Sequence, residues 1–343
     1  MVAEYYIPNV YISPHTLLGE GPTYVPSSHE LYFVDIHRQT INGIALPDSA
    51  TTKSYTSTNE ESAPAIEVFE HWADGAKDLR TTQYDEPIGV LALTTDSPST
   101  FVVGAKHGFA MAKIGDSKLK YIVDVYSTDA EKHALLRFND GNVDSVGRFF
   151  AGTMMQKWET PAPPSVGSLF RLDPDGTVSN IFDGCQVPNG LCWPKDGKTM
   201  FYVDSFSKTV WKYDYDLSQG TVSDKVAIFV IDEPNMYPDG MTISAQGDLF
   251  IAVWGGGRVL QCDSNTGKLK AIYKLPAAKV TCPTFGGKDM DELFVTTASA
   301  NEDLDYIWNE EDAKRDQGGE IFRFKVPGHS GLPRGVYNAV VLN

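Results

Sequence analysis

The sequence has no apolar stretch long enough to span a bilayer, and cysteine is scarce. Residues 1–6 lack the basic start and the apolar run of a secretion signal. The four cysteines, Cys185, Cys192, Cys262 and Cys282, show no paired CxxC spacing, which argues against a zinc knuckle or a redox motif. We therefore expect a soluble, cytoplasmic protein with buried free thiols; a Cys185–Cys192 disulfide is the less favoured alternative.

Basic residues are also fewer than acidic residues. Lysine and arginine number 29 against 45 acidic residues, giving a formal net charge of −16. Such a surface disfavours nucleic acid and anionic membranes as partners and favours cations. The seven histidines are scattered without ligand spacing, and the sequence contains no GxSxG elbow, no phosphate-binding P-loop and no HExxH motif.

What the sequence does contain is a repeat. Asn139-Asp140-Gly141, Asn189-Gly190 and Asp239-Gly240 recur with their first residues at positions 139, 189 and 239. Each copy leads through a few apolar residues and a glycine turn into an aromatic-rich strand. Related segments begin near positions 20, 88 and 284. Repeats of roughly 40–50 residues are typical of propeller blades.

The repeat predicts an all-β fold, a six-bladed β-propeller of four-stranded blades. The whole chain, residues 1–343, is expected to form one domain. The interval between the first two starts is longer than the others, so we place an insertion within residues 47–86, with a short helix in residues 65–78. We expect the ring to close where residues 10–18 and 336–342 complete a shared blade.

Equivalent positions in a propeller converge on the central channel, so Glu20, Asn139, Asn189 and Asp239 are expected at one mouth of it, in the same register. Carboxylate and amide oxygens aimed at one axis form a good cage for a hard divalent cation. Alternatively, Asn-Gly and Asp-Gly are common hairpin turns. Each repeat already contains a separate hairpin turn a few residues later, which favours the metal site.

An ordered set of short motifs resembles the gluconolactonase and regucalcin family from about residue 18 to residue 326. The motifs are Glu20-Gly21-Pro22, LYFVDI at 31–36, RFNDGNVD at 137–144, GRFFAGTM at 147–154, PNGL at 188–191, FYVDS at 201–205, PDGM at 238–241, GGRV at 256–259 and FGGK at 285–288. Each motif is weak alone, but their order is specific.

The resemblance implies a metal-dependent hydrolase that opens a sugar lactone. On the matching motifs it makes Glu20, Asn189 and Asp239 the ligands of one divalent ion, Ca²⁺ or Zn²⁺ first, with Mg²⁺ or Mn²⁺ as alternatives. Asn139 and Arg137 would contact the substrate, and Asn139 is a candidate fourth ligand. Asp239 is the candidate general base, although a bound cation weakens a carboxylate as a proton acceptor. Asp239 alternatively only orients a water activated by the cation.

One position departs from the family pattern. Lys157 stands where relatives of known sugar specificity carry an acidic residue, and a lysine cannot accept a hydrogen bond. Either Gln156 or Glu159 replaces that acceptor, or the substrate differs. Asp204 is expected to support the channel wall or to be purely structural, and His133 to be a satisfied loop residue.

The activity itself has alternatives. One is a phosphotriesterase-like organophosphate hydrolase on the same metal site, and another is a calcium-binding propeller without catalysis. The oligomeric state is not fixed by the sequence.

Overall fold

The computed structural model describes residues 2–74, 79–95, 97–159, 161–300 and 316–338. Within these ranges almost all of the regular secondary structure is β-strand. The exceptions are one short helix, Ala130–Leu135, which Asp129 caps by accepting a hydrogen bond from the Lys132 amide, and the 3-10 turn Ser205–Ser207. In the part of the chain described, no helix has both the length and the apolar character needed to cross a membrane.

The described strands are numbered β1 to β28 in chain order. They are β1 Ala3–Tyr6, β2 Ile12–Ser13, β3 Gly19–Val25, β4 Glu30–Asp35, β5 Thr40–Ala45, β6 Thr52–Tyr55, β7 Ile66–Phe69, β8 Ala73–Asp74, β9 Arg80–Gln83, β10 Ile88–Leu93, β11 Thr100–Ala105, β12 Gly108–Lys113, β13 Lys120–Asp124 and β14 Leu136–Val143. The remainder are β15 Phe149–Met155, β16 Gly167–Leu172, β17 Val178–Cys185, β18 Pro188–Cys192, β19 Thr199–Asp204, β20 Thr209–Asp216, β21 Thr221–Val230, β22 Tyr237–Ile243, β23 Asp248–Trp254, β24 Arg258–Asp263, β25 Leu269–Lys274, β26 Lys279–Gly286, β27 Glu292–Ala298 and β28 Phe322–Lys325.

Most of these strands form four-stranded antiparallel sheets. Four sheets are separate, with the orders β3-β4-β5-β9, β10-β11-β12-β13, β14-β15-β16-β17 and β18-β19-β20-β21. A ten-stranded sheet has the order β1-β25-β24-β23-β26-β27-β28-β7-β6, with β22 on β23. Its two halves are joined only where Trp254 pairs with Lys279. The predicted all-β class with several four-stranded sheets is confirmed.

The first strands of the successive sheets contact one another in a closed cycle. Strand β3 contacts β10, which contacts β14, and the series continues through β18, β22 and β26 back to β3. This arrangement is consistent with a propeller, in which innermost strands surround a central channel. The candidate site residues lie on four of these strands.

The hydrophobic cores lie between neighbouring sheets. Phe149 and Phe150 are consecutive in β15 and both fully buried, yet they belong to different clusters. Phe149 packs with Phe109 of the preceding sheet, whereas Phe150 packs with Trp193 of the following sheet. Successive side chains of a strand point to opposite faces. Because both faces are covered, these strands are almost continuously apolar in sequence.

The way in which the last sheet is completed differs from the prediction. On the side away from β27, β28 pairs with β7 through Phe324 and Val68, and β6 extends the sheet beyond β7. Residues 10–18 contain β2, which pairs with β8, and they also bridge the last sheet through Ile12 with Ile321 and Leu18 with Ala298. Tyr337, in contrast, bridges Thr94, directly after β10. Residues 339–342 lie outside the described residues. Residues 10–18 therefore meet the last sheet as predicted, but the described residues 336–338 do not, so the predicted shared blade is wrong in that part.

The predicted insertion at residues 47–86 contains strands rather than the expected helix. Ile66–Phe69 is a strand whose residues Ile66 and Val68 are fully buried, and Ala73–Asp74 is a second strand. Residues 75–78 lie outside the described part. Ile66 and Val68 flank the exposed Glu67, as expected for a strand with one buried face, and pairing with β28 fixes the strand.

The C-terminal segment crosses from the sheet of β22–β25 to the sheet of β10–β13. Gly331 bridges Ser244 near its start, and Tyr337 bridges Thr94 near its end. Between them, a guanidinium nitrogen of Arg334 donates a hydrogen bond to Oγ1 of Thr23 in β3. The segment thereby brings a cation toward the innermost strands.

Candidate functional site

The repeated site residues lie within strands rather than in hairpin turns. Each innermost strand carries one extra residue relative to its neighbour, as in the shift between Phe138 and Gly141 and the shift between Pro238 and Met241. The other innermost strands contain the same irregularity. A β-bulge re-aims side chains and is frequent beside active sites. The bulges therefore explain why side chains from separate strands point toward the axis.

Asn139, Asn189 and Asp239 occupy matching places in their bulges, as the spacing predicts. Glu20 does not share that register. It pairs directly with Val34 ahead of its bulge, so it lies one position earlier on its strand than the other three residues do. The expectation of one common register is therefore wrong for Glu20, although its longer side chain still reaches the same site.

The glycines after the site residues are required by close approach of neighbouring strands. A Cβ on Gly190 would lie 2.5 Å from both the backbone nitrogen and the Cβ of Met241, and a Cβ on Gly240 would lie 2.5 Å from Sγ of Cys282. No real Cβ tolerates such distances. Glycine at these positions thus keeps the ring narrow enough for side chains from different strands to meet.

A chain of hydrogen bonds links the polar side chains. A guanidinium nitrogen of Arg137 donates to Oδ1 of Asn139 at 2.8 Å, and Nδ2 of Asn139 donates to Oδ1 of Asn189 at 3.3 Å. Nδ2 of Asn189 donates to Oγ of Ser205 at 2.8 Å, and that hydroxyl donates to the Pro238 carbonyl at 2.7 Å. All four side chains are buried. This network fixes both amides and connects three innermost strands.

Three carboxylates share the site with this network. Glu20, Asp140 and Asp239 are 7%, 9% and 4% exposed. Burial, followed by the charges of Asp239 and Asp140, raises the pKa of Glu20 well above its usual value, although Arg137 opposes that shift. Burial also raises the pKa of Asp140 to about 6. The folded protein therefore holds like charges together without enough positive charge to balance them.

Three groups among or around these carboxylates were not predicted as site residues from the sequence: Asp140, Arg334 and Cys282. Arg334 is near enough to Asp140 for its charge to lower that carboxyl's pKa, while burial lowers the pKa of Arg334 itself. Burial and the neighbouring carboxylates raise the pKa of the Cys282 thiol. Asp140 could have been identified from the Asn-Asp-Gly motif, because it precedes a glycine as Asp239 does. No sequence pattern identified Arg334, since it lies outside the repeat.

The sequence left two options for Asp204, support of the channel wall or a purely structural role. Its hydrogen bonds show that it positions backbone next to the site. Its two carboxylate oxygens accept hydrogen bonds from the backbone amides of Gln186 and Val187, both at 2.9 Å, directly before the strand that carries Asn189. Asp35 accepts in the same way from the amides of Leu17 and Leu18, ahead of the strand of Glu20. These aspartates in the LYFVDI and FYVDS motifs therefore fix the backbone at the entry into the strands of Glu20 and Asn189.

Lys157, the residue that departs from the family pattern, and its neighbours lie at or near the surface. Lys157 and Glu159 are exposed and Gln156 is partly buried, with its backbone amide bonded to the Leu135 carbonyl. His133 is a satisfied residue, as expected, but it lies in the helix Ala130–Leu135 rather than in a loop. Its Nε2 lies 2.9 Å from Oδ2 of Asp124, and its ring stacks on His107 at 3.9 Å.

The donor set of the site fits a hard divalent cation. It offers the carboxylates of Glu20 and Asp239 and the amide oxygens of Asn139 and Asn189, which are the ligand types that such ions prefer. Each amide oxygen accepts one hydrogen bond here and has a second lone pair. Among the described residues, no group of three His, Cys, Asp or Glu side chains could hold a metal ion. A cation at this site would therefore depend on the amides, and the predicted roles of these four residues stay predictions.

Comparison with known proteins agrees with the motifs. A family model described as the SMP-30/Gluconolactonase/LRE-like region matches residues 18–299. Regucalcin of Oryctolagus cuniculus is 36% identical over 319 residues, covering 92% of this chain and 93% of that protein. A solved luciferin-regenerating enzyme has a TM-score of 0.77 at 27% identity, covering 94% of this chain and 96% of its own.

A calcium-binding protein, regucalcin, from Agrobacterium tumefaciens also has a TM-score of 0.77, covering 98% of this chain and 99% of its own, at 22% identity. At that identity the likeness concerns the fold alone. The extent of the family match and the identity to regucalcin decide the assignment. The chain belongs to the SMP-30/gluconolactonase/regucalcin family.

Proposed function

We propose that this protein hydrolyses a sugar lactone to the open-chain acid at a site that holds one divalent cation. The observation that carries the proposal is the meeting of Glu20 and Asp239, two buried carboxylates from different sheets, beside the hydrogen-bonded amides of Asn139 and Asn189. Two carboxylates balance the charge of a divalent ion, and a bound ion would offset the burial and the carboxylate repulsion that raise the pKa of Glu20.

We also propose that the fold is a single six-bladed propeller domain. The closed cycle of β3, β10, β14, β18, β22 and β26 supports this count. So does the ten-stranded sheet, which divides at the Trp254–Lys279 pair into two runs of five strands, each a four-stranded set with one further strand, β1 or β6, at its outer edge. On this count the insertion at residues 47–86 supplies the outer strand that completes the sixth blade.

In the proposed reaction, Glu20, Asn189 and Asp239 hold the cation, with Asn139 as a candidate fourth ligand. When bound there, a divalent cation supplies Lewis-acid polarisation of the lactone carbonyl. A carboxylate oxygen of Asp239 orients the attacking water and takes its proton, which then passes to the ring oxygen that leaves. Arg137 lies beside Asn139 and provides positive charge near the developing oxyanion.

Calcium is the first cation to test, since a protein of this fold is called a calcium-binding protein, regucalcin. Zinc, magnesium and manganese follow. The gluconolactonase name of the family supports an aldonolactone as the substrate class. We propose the cytoplasm as the location, because the cysteines lack the paired spacing of a disulfide framework.

The test is hydrolysis of a panel of 1,4- and 1,5-aldonolactones, followed by acid release. Metal-stripped protein is measured before and after addition of each cation. Asp239→Asn keeps the shape of the side chain and removes its charge, so we expect turnover to fall by a factor of about 100 to 10,000, the usual contribution of a positioned acid or base. Asp224→Asn is the matched control, because Asp224 is exposed and its left-handed backbone, with φ of 51°, suits asparagine equally well.

Metal-dependent turnover lost in Asp239→Asn and kept in Asp224→Asn would support the proposal. Tight cation binding without turnover of any lactone would refute it in favour of a non-enzymatic calcium-binding propeller. Turnover of a phosphotriester in place of lactones would favour the organophosphate hydrolase.

A further inference from the structure

A row of three aromatic side chains leads outward from the candidate site. Trp158 follows β15, Phe206 lies in the 3-10 turn after β19, and Tyr237 begins β22. The ring centroids of Trp158 and Phe206 are 6.3 Å apart with planes at 89°, and those of Phe206 and Tyr237 are 4.9 Å apart with planes at 29°. The row thus joins three neighbouring sheets and is longer than one six-membered ring.

This aromatic row lies at the same end of the sheets as the polar site. The end of β19 pairs with the start of β18 through Asp204 and Pro188. Ser205, which precedes Phe206 in the chain, donates its hydroxyl hydrogen to the Pro238 carbonyl and accepts from Asn189. Tyr237 is two residues before Asp239. The inner end of the row is therefore continuous with the proposed metal ligands.

The row is open to solvent, unlike the aromatic residues of the cores. Trp158 is 36% exposed, and Phe206 and Tyr237 are partly exposed. Lysines flank both ends: Lys157 is exposed next to Trp158, and Nζ of Lys208 lies 5.3 Å from the Tyr237 ring centroid. Lys208 lies over the face of Tyr237 and donates to the Glu233 carbonyl, so the open aromatic surface is that of Trp158 and Phe206. Partly exposed aromatic side chains of this kind suit a ring whose faces are apolar.

The polar groups nearer the cation site are largely engaged with one another. Oδ1 of Asn139 accepts from Arg137, and its Nδ2 donates to both the Pro188 carbonyl and Asn189. Lys157, beside Trp158, is exposed and has no hydrogen-bond acceptor on its side chain. Few hydrogen-bonding groups near the cation site are therefore left for substrate hydroxyls. An aromatic surface for stacking is present further out.

We propose that the aromatic row is a subsite for a second ring carried by the lactone, either a glycosyl ring or an aryl ring. The inference rests on the proposed lactonase function and specifies its substrate class. The lactone carbonyl would lie at Asp239, and the second ring would stack along Phe206 and Trp158. Stacking on one aromatic side chain contributes enough to change affinity about tenfold.

Kinetics on three substrates test the subsite: D-glucono-1,5-lactone, cellobiono-1,5-lactone and a δ-lactone bearing a phenyl substituent. We expect kcat/KM to be at least about tenfold higher for one of the two-ring lactones than for the glucono-lactone. Trp158→Ala should lower kcat/KM for that lactone about tenfold more than for the glucono-lactone. A preference for the cellobiono-lactone assigns the ring as glycosyl, and a preference for the phenyl lactone assigns it as aryl.

Equal kcat/KM for one-ring and two-ring lactones, or an equal loss on all substrates in Trp158→Ala, would overturn the subsite. Trp72→Ala is the control, since Trp72 is 45% exposed and lies in the insertion. Calorimetric binding of the corresponding acids, gluconate, cellobionate and the phenyl hydroxy acid, gives a readout that needs no turnover. Tighter binding of a two-ring acid that Trp158→Ala abolishes would support the subsite even if no lactone were hydrolysed, which would refute only the proposed reaction. Equal binding of all three acids would overturn the subsite.

Discussion

Replacing Asp140 by asparagine should stabilise the metal-free protein at neutral pH. Burial raises the pKa of Asp140 in the folded protein to about 6, from an ordinary value of 3.8. A raised carboxyl pKa means that folding is favoured while the group is protonated, and that this contribution is lost as pH rises from the unfolded to the folded pKa. The difference in pKa corresponds to about 3 kcal/mol of unfolding free energy at 1.36 kcal/mol per pKa unit. Asparagine keeps the acceptor for the Gly141 amide, which bonds Oδ1 of Asp140 at 2.7 Å, and it cannot ionise.

The assay is urea unfolding in the presence of a chelator, followed by tryptophan fluorescence, from pH 4 to pH 8. Asp140→Asn and the wild type should have nearly equal unfolding free energies at pH 4, and the variant should be more stable by about 3 kcal/mol above pH 6. Asp224→Asn should show no such pH-dependent gain. Adding the divalent cation should shrink the advantage of Asp140→Asn, because a cation favours the ionised carboxylate. A constant difference between pH 4 and pH 8, or a variant less stable at pH 8, would refute the reasoning.

Three further predictions follow from the packing of the ring. Ser205→Ala removes the donor and acceptor that fix Asn189, and calcium affinity measured by calorimetry should fall about 10- to 100-fold, with no change expected for an exposed serine variant. Gly190→Ala forces a Cβ into strand β22 and should cost about 1–3 kcal/mol in chemical unfolding; a wild-type midpoint would contradict the close approach. Ile66→Ala should cost about 2–5 kcal/mol because its strand completes the last sheet, whereas Glu67→Ala on the exposed face should change stability by less than about 0.5 kcal/mol.

The repeat and the strands nearest the site could be predicted because their signals are local. The strand Thr199–Asp204 follows from a run of aromatic and β-branched residues bounded by a glycine turn. The fifty-residue spacing alone indicated that Asn139, Asn189 and Asp239 would occupy equivalent places. It could not reveal the bulges, because a bulge is defined by register against a neighbouring strand and leaves little trace in one sequence.

Features that depend on distant segments escaped the sequence analysis. The pairing of Phe324 with Val68 joins parts of the chain that are far apart, and residues 65–78 alone favoured a helix. The rings of Trp158 and Phe206 meet only because two loops from neighbouring sheets end on the same side. Local propensity carries no information about such meetings, whereas tertiary packing decides them.

Burying three neighbouring carboxylates destabilises the folded protein, and packing elsewhere in the ring has to offset that effect. The bulged strands bring Glu20, Asp140 and Asp239 close together, and burial together with mutual repulsion raises the pKa of Glu20. Arg137 and Arg334 supply positive charge near these groups, but not enough to return the pKa values of Glu20 and Asp140 to normal. The apolar clusters between the sheets therefore offset a standing electrostatic cost. A divalent cation would remove that cost in the folded protein alone, so cation binding and unfolding stability should be coupled through these three carboxylates.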